Sequence, residues 1–553
     1  MRRETTAGRV LSILFYACLF FLLAGYIVFP MFNTVAQAFW GKDGFTLSVF
    51  RDYVGNPNNL RVVKNTALVG VGAVLCCGVV GTALAVYMAL RGVKGKRFLH
   101  ILLLSPMMIP GVIIVIAFVQ LYGESGVVTK GLELLLGLDA PPFRFSGLGG
   151  ILFVITYTQY VYFYMNVSIA MKYVDYSAAE AARSLGAGRW RIFRDVLLPT
   201  MRPALITSAM MTFAAGVGAF SAPNLIGGGF KVLSTQIVRS KANNYIDVAS
   251  VQVLTLLVMS LSVMLLLQYY KRRCTYVRTV RATAVMPSRA RTAWGAAADA
   301  LVWIQMLLIV VPVLGITYMA FNTTHTIMTD IFPHAFTLEN FSSVFRSARF
   351  LKPLTNSLRM SLMAVCAGLL LTVPVSYIAW RKRDSWSRAA KAVMLLPWCM
   401  PVSVIGVNLI NAFNVKSVFA FGHALIGGFY ILPVAYTVIS LPLLLNANDT
   451  AMDSFNPALA DASHSLGAGA LSTVMRVVLP NIAPGIAAGG ILAFIRTMGE
   501  YTVSALLYGV YNRPISISMV LNLGEFNIGV SMAYGVIVIG MSCAALALLL
   551  KLD

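Results

Sequence analysis

Glu180-Ala181-Ala182-Arg183-Ser184-Leu185-Gly186, nine residues, then Val196-Leu197-Leu198-Pro199: the chain carries this stretch twice. The second copy reads Asp461-Ala462-Ser463-His464-Ser465-Leu466-Gly467, nine residues, then Val477-Val478-Leu479-Pro480, with every matched position offset by 281. An acid, small residues, a spaced glycine and a Leu-Pro do not fall twice into one register by accident. The chain therefore consists of two halves that share one functional loop.

Local physics gives that loop a shape. Ala181 and Ala182 favour helix, and Glu180 or Asp461 ahead of them suits the positive end of the helix macrodipole. Gly186 and Gly467 are placed to end the helix in a left-handed conformation. A second short helix follows, with Trp190, Phe193 and Leu197 on one stripe and Arg189, Arg191 and Arg194 off it. Leu471, Val474 and Val478 repeat the stripe at amphipathic spacing. Pro199 and Pro480 are expected to stop this helix, and Pro203 and Pro484 to lie in the first turn of the next one. The expectation is a helix–turn–helix elbow with an apolar ridge, set between membrane spans.

The composition places the elbows in an integral membrane protein. The 553 residues are 58% hydrophobic and 11% charged, with a mean hydropathy of +0.79, more apolar sequence than a soluble core absorbs. The net charge of +23 is carried in short loops between apolar runs. It reads as orientation and contact with membrane lipids, not as a nucleic-acid footprint. The seven cysteines show neither disulfide nor metal-cage spacing outside the membrane.

Candidate spans lie near 10–32, 66–90, 98–122, 148–171, 204–222 and 248–270. In the second half they lie near 299–321, 357–380, 391–412, 422–445, 484–506 and 530–551. The fold class is thus all-α and polytopic: about twelve helices in two parallel six-helix repeats. The repeats are 1–270 and 297–553, joined by a basic linker over 271–296. Ala36-Gln37-Ala38 resembles a signal-peptidase site, but the apolar run before it has the length of a retained span. The basic clusters Arg91, Lys94, Lys96, Arg97 and Arg381, Lys382, Arg383, Arg388, Lys391 place both elbows, the linker and both termini in the cytoplasm. Asn65-Thr66 pairs with Asn356-Ser357, and Pro106 and Pro110 pair with Pro397 and Pro401, at an offset of 291. The second half therefore lacks about ten residues of outer loop that the first holds between Tyr122 and Gly147.

The elbow is similar to the Glu-Ala-Ala loop of permease subunits in binding-protein-dependent ABC importers. The match is carried by Glu180, Ala181, Ala182, Gly186, Val196, Leu198 and Pro199, and by Ala462, Gly467, Val477, Leu479 and Pro480. Asp461 and Ser463 depart from the pattern conservatively. Two six-span permeases fused in one chain resemble the ferric-iron permeases and their thiamine and 2-aminoethylphosphonate relatives. The resemblance implies a bacterial inner-membrane pore subunit whose elbows dock into two ATPase subunits. ATP and Mg would be held by those partners, and cargo would arrive on a periplasmic or lipid-anchored binding protein. Ferric iron is the first expectation for cargo; a phosphonate, thiamine or a polyamine follows.

Other residues weigh less. No Gly-x-x-x-x-Gly-Lys-Ser/Thr phosphate loop occurs, so ATP hydrolysis is not expected of this chain. Arg496 and Glu500, four apart in the eleventh span, are candidates for the pathway or for a self-neutralising pair. Their counterparts are Ala215 and Ala219. His325 and His334, with Asp330 and Glu339, suit a solvated loop better than a metal site. Tyr157, Tyr160, Tyr162 and Tyr164 suit packing or interface anchoring. An ion-coupled secondary transporter is the rival from another class; it would need intramembrane ion sites, and only Arg496–Glu500 stands out.

Overall fold

A chain in hydrocarbon must satisfy its backbone hydrogen bonds internally, so long apolar runs become helices, and prolines and glycines decide where they bend. The computed structural model describes residues 6–41, 44–45, 47–91, 95–172, 174, 176–273, 293–382 and 384–552. Most of the basic linker, 274–292, lies outside the described residues, as do Lys94, Cys274 and Arg383. Eleven described helices are long and apolar enough to cross a membrane, or twelve when one bent pair counts as a single span.

Spans 1 to 6 are Leu14–Phe39, Pro57–Leu90, Gly111–Leu136, Gly147–Met171, Trp190–Val217 and Ile246–Arg273. Spans 7 to 12 are Asp299–Ala320, Ala348–Arg381, the bent pair Ser385–Cys399 with Val402–Phe413, Ile431–Ser454, Val474–Met498 and Ile528–Leu548. Each half therefore repeats the other, span n matching span n+6.

Four spans depart from the sequence expectation in where they break, start or end. The third span, expected over 98–122, is broken: helix Lys96–Leu104 runs into a 3₁₀ turn, Ser105–Met108, before Gly111 starts again. Span 9 breaks likewise after Leu396–Cys399, with a bend of 112°. Proline pushes its preceding residue into extended backbone, and Ile109 before Pro110 and Met400 before Pro401 have ψ of 127° and 132°. Span 10, expected over 422–445, begins at Ile431. Phe421, Gly422 and Gly427 all have positive φ, so 414–430 is a folded loop. Span 11, expected to reach 506, ends at Met498, and a separate short helix follows over Thr502–Leu507.

Within each half, small residues bring helices close. A Cβ at Gly81 of span 2 would lie 2.5 Å from the Tyr160 carbonyl of span 4, and one at Gly489 of span 11 would lie 2.5 Å from Ala447 Cβ of span 10. Between halves the packing is reciprocal. Span 1 lies on span 9, and span 7 lies on the third span. Asn411 of span 9 donates to Thr34 of span 1 at 3.2 Å and to Ser250 of span 6 at 3.1 Å. The matching junction is apolar: Gly535 of span 12 sits beside Ile316 of span 7 and Ile113 of the third span. At the elbow end, Tyr16 of span 1 donates to Asp384 at 2.9 Å. Its counterpart is Asp299 of span 7, which receives Tyr87 at 2.7 Å and Arg91 at 2.6 Å. Each half is thus clasped by the first span of the other.

At the far end two glycines fit against two prolines across the same divide. A methyl group added at Gly499 would lie 2.0 Å from Pro110 Cβ, and one at Gly218 would lie 3.1 Å from Pro401 Cβ. Gly499→Ala is therefore expected to cost about 1–3 kcal/mol of stability through overpacking, and Gly218→Ala distinctly less. Thermal unfolding of the two variants in detergent, ranked against the parent, checks the order.

Candidate functional site

The elbow follows from its glycine. Helix Tyr176–Ser184 carries Glu180, Ala181 and Ala182, and helix Pro457–Ser465 carries Asp461 and Ala462. Both end in the same turn. Gly186 takes φ +82° and Gly467 φ +86°. Gly186 N–H reaches the Arg183 carbonyl at 3.0 Å and Ala187 N–H the Ala182 carbonyl at 2.9 Å. Gly467 and Ala468 repeat this on His464 and Ser463 at 3.0 and 3.1 Å. This is the Schellman arrangement that satisfies the last helix carbonyls. Among the described residues, no atom beyond the adjoining residues lies within 4 Å of a Cβ built at either glycine, so backbone conformation, not crowding, selects the residue.

The second limb does not stop at Pro199 or Pro480. It widens into a π turn, Phe193–Leu197 in the first half and Val474–Val478 in the second, and continues as span 5 or 11. Leu198 N–H bonds the Phe193 carbonyl and Leu479 N–H the Val474 carbonyl, five residues back. The wide turn re-phases the ladder where proline has no N–H to give. Thr200 and Asn481 side chains add bonds to the Val196 and Val477 carbonyls at 3.1 and 2.7 Å. Pro203 and Pro484 consequently lie inside a running helix, not in its first turn.

The apolar ridge is correspondingly divided. Trp190 is exposed and stacks on half-buried Phe193 at 5.6 Å, whereas Leu197 and Val478 are buried against their own half. Val474 is half-buried, and the Leu471 side chain lies outside the described residues. The most exposed apolar positions are the residues just before the glycines, Leu185 and Leu466, each 88% exposed. A hydrophobicity stripe cannot find them, because they lie in the turn, not on a helix face. The second elbow is also braced from within. Ser463 bonds Thr473 at 3.0 Å, and His464 bonds the Ala468 carbonyl at 3.1 Å and Arg381 of span 8 at 3.2 Å.

Spans 5 and 11 carry each elbow to the far end, where the halves meet on their pseudo-twofold. Phe220 and Tyr501 are equivalent residues, and their rings lie 5.4 Å apart. Asn224 of the first half donates to the Tyr501 hydroxyl at 2.9 Å. Lys241 Nζ donates to the Leu506 carbonyl at 3.3 Å, and burial draws its ammonium below the usual lysine range. With the Gly218–Pro401 and Gly499–Pro110 contacts, these residues form a closed seam between the halves.

Arg496 and Glu500 sit beside this seam without forming a pair among the described residues. The helix ends at Gly499, so four-residue spacing no longer sets the two side chains on one face. Glu500 instead caps the next helix: its Oε1 accepts Thr502 N–H at 2.7 Å and Val503 N–H at 3.1 Å. Its carbonyl receives the Ser504 and Ser516 hydroxyls at 2.6 and 2.7 Å. Arg496 is exposed. The tyrosines of span 4 join helices: Tyr157 donates to the Ile309 carbonyl at 2.9 Å, Tyr160 to that of Leu103 at 2.6 Å, and Tyr164 lies 2.6 Å from His100. His334 pairs with Asp330 at 3.1 Å, and no group of three or more His, Cys, Asp or Glu gathers among the described residues.

Comparison with known proteins identifies the machine these parts belong to. A model of the binding-protein-dependent transport system inner membrane component matches residues 81–276 and again 353–552. The chain belongs to this permease family. A probable ABC transporter permease protein, y4fN, of Sinorhizobium fredii is 28% identical over 100% of this permease and 98% of its own length. The ferric transport system permease protein FbpB of Actinobacillus pleuropneumoniae is 25% identical over 96% of the permease and 76% of its own length. A putative 2-aminoethylphosphonate transport system permease protein of Salmonella typhi, PhnU, is 27% identical over 37% of the permease and 72% of its own length. The permease is a multi-pass ABC-importer subunit built from two fused family repeats, and membership displaces the ion-coupled reading.

The cap on Thr502–Leu507 sets an expectation for Glu500. Glu500→Gln keeps an acceptor oxygen and should unfold close to the parent. Glu500→Leu strips two buried N–H groups of their acceptor and should cost about 1–3 kcal/mol. Arg496→Met in the same chain should not restore it, because the cost comes from the lost acceptor of the two N–H groups and not from a broken salt bridge. Thermal melts of the three variants check this.

Proposed function

We propose that this permease forms the whole translocation path of an ATP-driven importer for ferric iron. Two ATPase subunits drive it through its elbows, and a binding protein, periplasmic or lipid-anchored, supplies the cargo. ATP and Mg belong to the ATPases, and this chain contributes the path. The elbow side faces the cytoplasm of a bacterial inner membrane in this reading, which the basic loops on that side support.

One observation carries the coupling: two elbows of identical turn geometry, 281 residues apart, each present an almost fully exposed leucine at Leu185 or Leu466. An exposed apolar knob on a rigid turn suits insertion into a partner's groove. The other coupling residues have distinct tasks. Glu180, Ala181, Ala182, Asp461 and Ala462 form the first limb, and Gly186 and Gly467 the turn. Trp190, Phe193, Leu471 and Val474 lie on the second limb. Pro199 and Pro480 impose the π turn joining that limb to the span. Closure of the ATPases would draw the elbows together, and unbroken helices would convey this to the seam. Support for iron comes from the ferric permease relative, which matches 96% of this chain, against 37% for the phosphonate relative.

Gly186→Pro and Gly467→Pro should leave the chain inserted but separate ATP hydrolysis from uptake, since proline cannot adopt the positive φ of the turn. Leu185→Asp and Leu466→Asp should release the ATPase on co-purification. Uptake at the parent rate in both proline variants, measured in proteoliposomes with ATPase and binding protein, rejects the elbows as the coupling joint.

A further inference from the structure

Span 11 is held on two sides. Gly485 and Gly489 pack on Ala451 and Ala447 of span 10, Gly490 lies near Val365 and Leu369 of span 8, and Phe494 packs into the cluster built with span 12. At about 100° per residue, Leu492, Arg496 and Gly499 continue the stripe of Gly485 and Gly489, with Ala488 at its edge, and beyond Gly489 that stripe is exposed at Leu492 and Arg496. Its far end, Gly499, rests on Pro110 of the other half. The upper part of this stripe therefore turns from span 10 towards the other half. Span 5 has the same layout: Thr207, Met211 and Ala215 lie on the side that ends at Gly218 on Pro401. Spans 5 and 11 are not packed on each other along their lengths, so these two sides bound the space beneath the Phe220–Tyr501 contact.

Arg496 is the charge on that surface. It is exposed, and Leu492 one turn below is 39% exposed. The acid four residues away is turned to the helix start at Thr502. A guanidinium at membrane depth needs water or an anion around it, and its planar fork fits the oxygens of carboxylate, phosphate and phosphonate groups.

We propose that Arg496 is an oxyanion contact on the translocation path. Cargo then passes beneath the seam either as a small oxyanion or as a ferric ion wrapped in oxyanion ligands, and not as a bare cation. This rests on the permease reading above.

The test uses the full chain with its ATPase in nanodiscs, with Leu492→Cys or, as a second reporter, Ala488→Cys. Modification by an anionic sulfonate thiosulfonate and by its cationic trimethylammonium analogue is compared, with labelling of the parent chain's own cysteines subtracted. The anionic reagent should react faster, and Arg496→Met should lower the anion-to-cation rate ratio about tenfold, while Arg496→Lys keeps most of it. Protection by inorganic phosphate identifies a free oxyanion; protection by ferric citrate but not by phosphate or citrate identifies a ligand-wrapped ferric ion. Failure of both reporters to label, an unchanged ratio in Arg496→Met, or protection by neither probe overturns the proposal. Labelling needs no ATP, so a wrong permease reading would show separately, as parent-chain uptake that follows an ion gradient.

Discussion

Proline has no N–H, and in a membrane no water stands in for the missing bond. Six prolines at matched positions shape this molecule. Pro106 and Pro110, with Pro397 and Pro401, break one span of each half into two limbs. Pro199 and Pro480 force a π turn where the elbow meets the membrane. The bent spans bring Pro110 and Pro401 to the centre, where each receives a glycine of the opposite half. Elbow, span and seam are consequences of one chemical deficiency placed three times per repeat.

Mechanically, the π turn matters because it continues the helix. A helix that stopped at Pro199 would leave the elbow hinged to the span. Instead, Trp190–Val217 is one span of 28 residues, about 40 Å at 1.5 Å per residue, with the elbow turn at one end and Gly218 at the other. In the proposed cycle, movement of Leu185 or Leu466 is conveyed along a stiff rod to the Phe220–Tyr501 contact. The reciprocal clasps, Tyr16 to Asp384 and Tyr87 with Arg91 to Asp299, tie each half to the first span of the other. Such crossed packing keeps the two halves together, and in the proposed cycle their central faces separate between the two clasps.

The halves are alike in backbone and unlike in chemistry. Tyr501 adds a hydroxyl that Phe220 lacks and uses it to bind Asn224. Glu500 caps a helix whose counterpart starts after Ala219, and Arg496 stands where the first half has Ala215. The second elbow is braced by Ser463 and His464, where the first has Ala182 and Arg183. Both departures from the Glu-Ala-Ala pattern therefore lie in the half that also carries Arg496 and Glu500. A fused chain permits this, because each half has one fixed partner.

The sequence alone determined the duplication, the all-α membrane architecture, the number of spans and the elbow turn. Each of these is local: hydropathy over twenty residues, a left-handed glycine, or a register of 281 needs no knowledge of neighbours. Span ends within 414–430 and at Gly499 were harder to read, because apolar composition persists where the backbone turns. Only the tertiary structure decided that Arg496 and Glu500 part company, that Leu197 and Val478 are buried while Leu185 and Leu466 protrude, and that Phe220 meets Tyr501. Those outcomes depend on which surfaces of distant helices come together. Spacing along a chain specifies a face of a helix, but the partner that covers that face is chosen by packing.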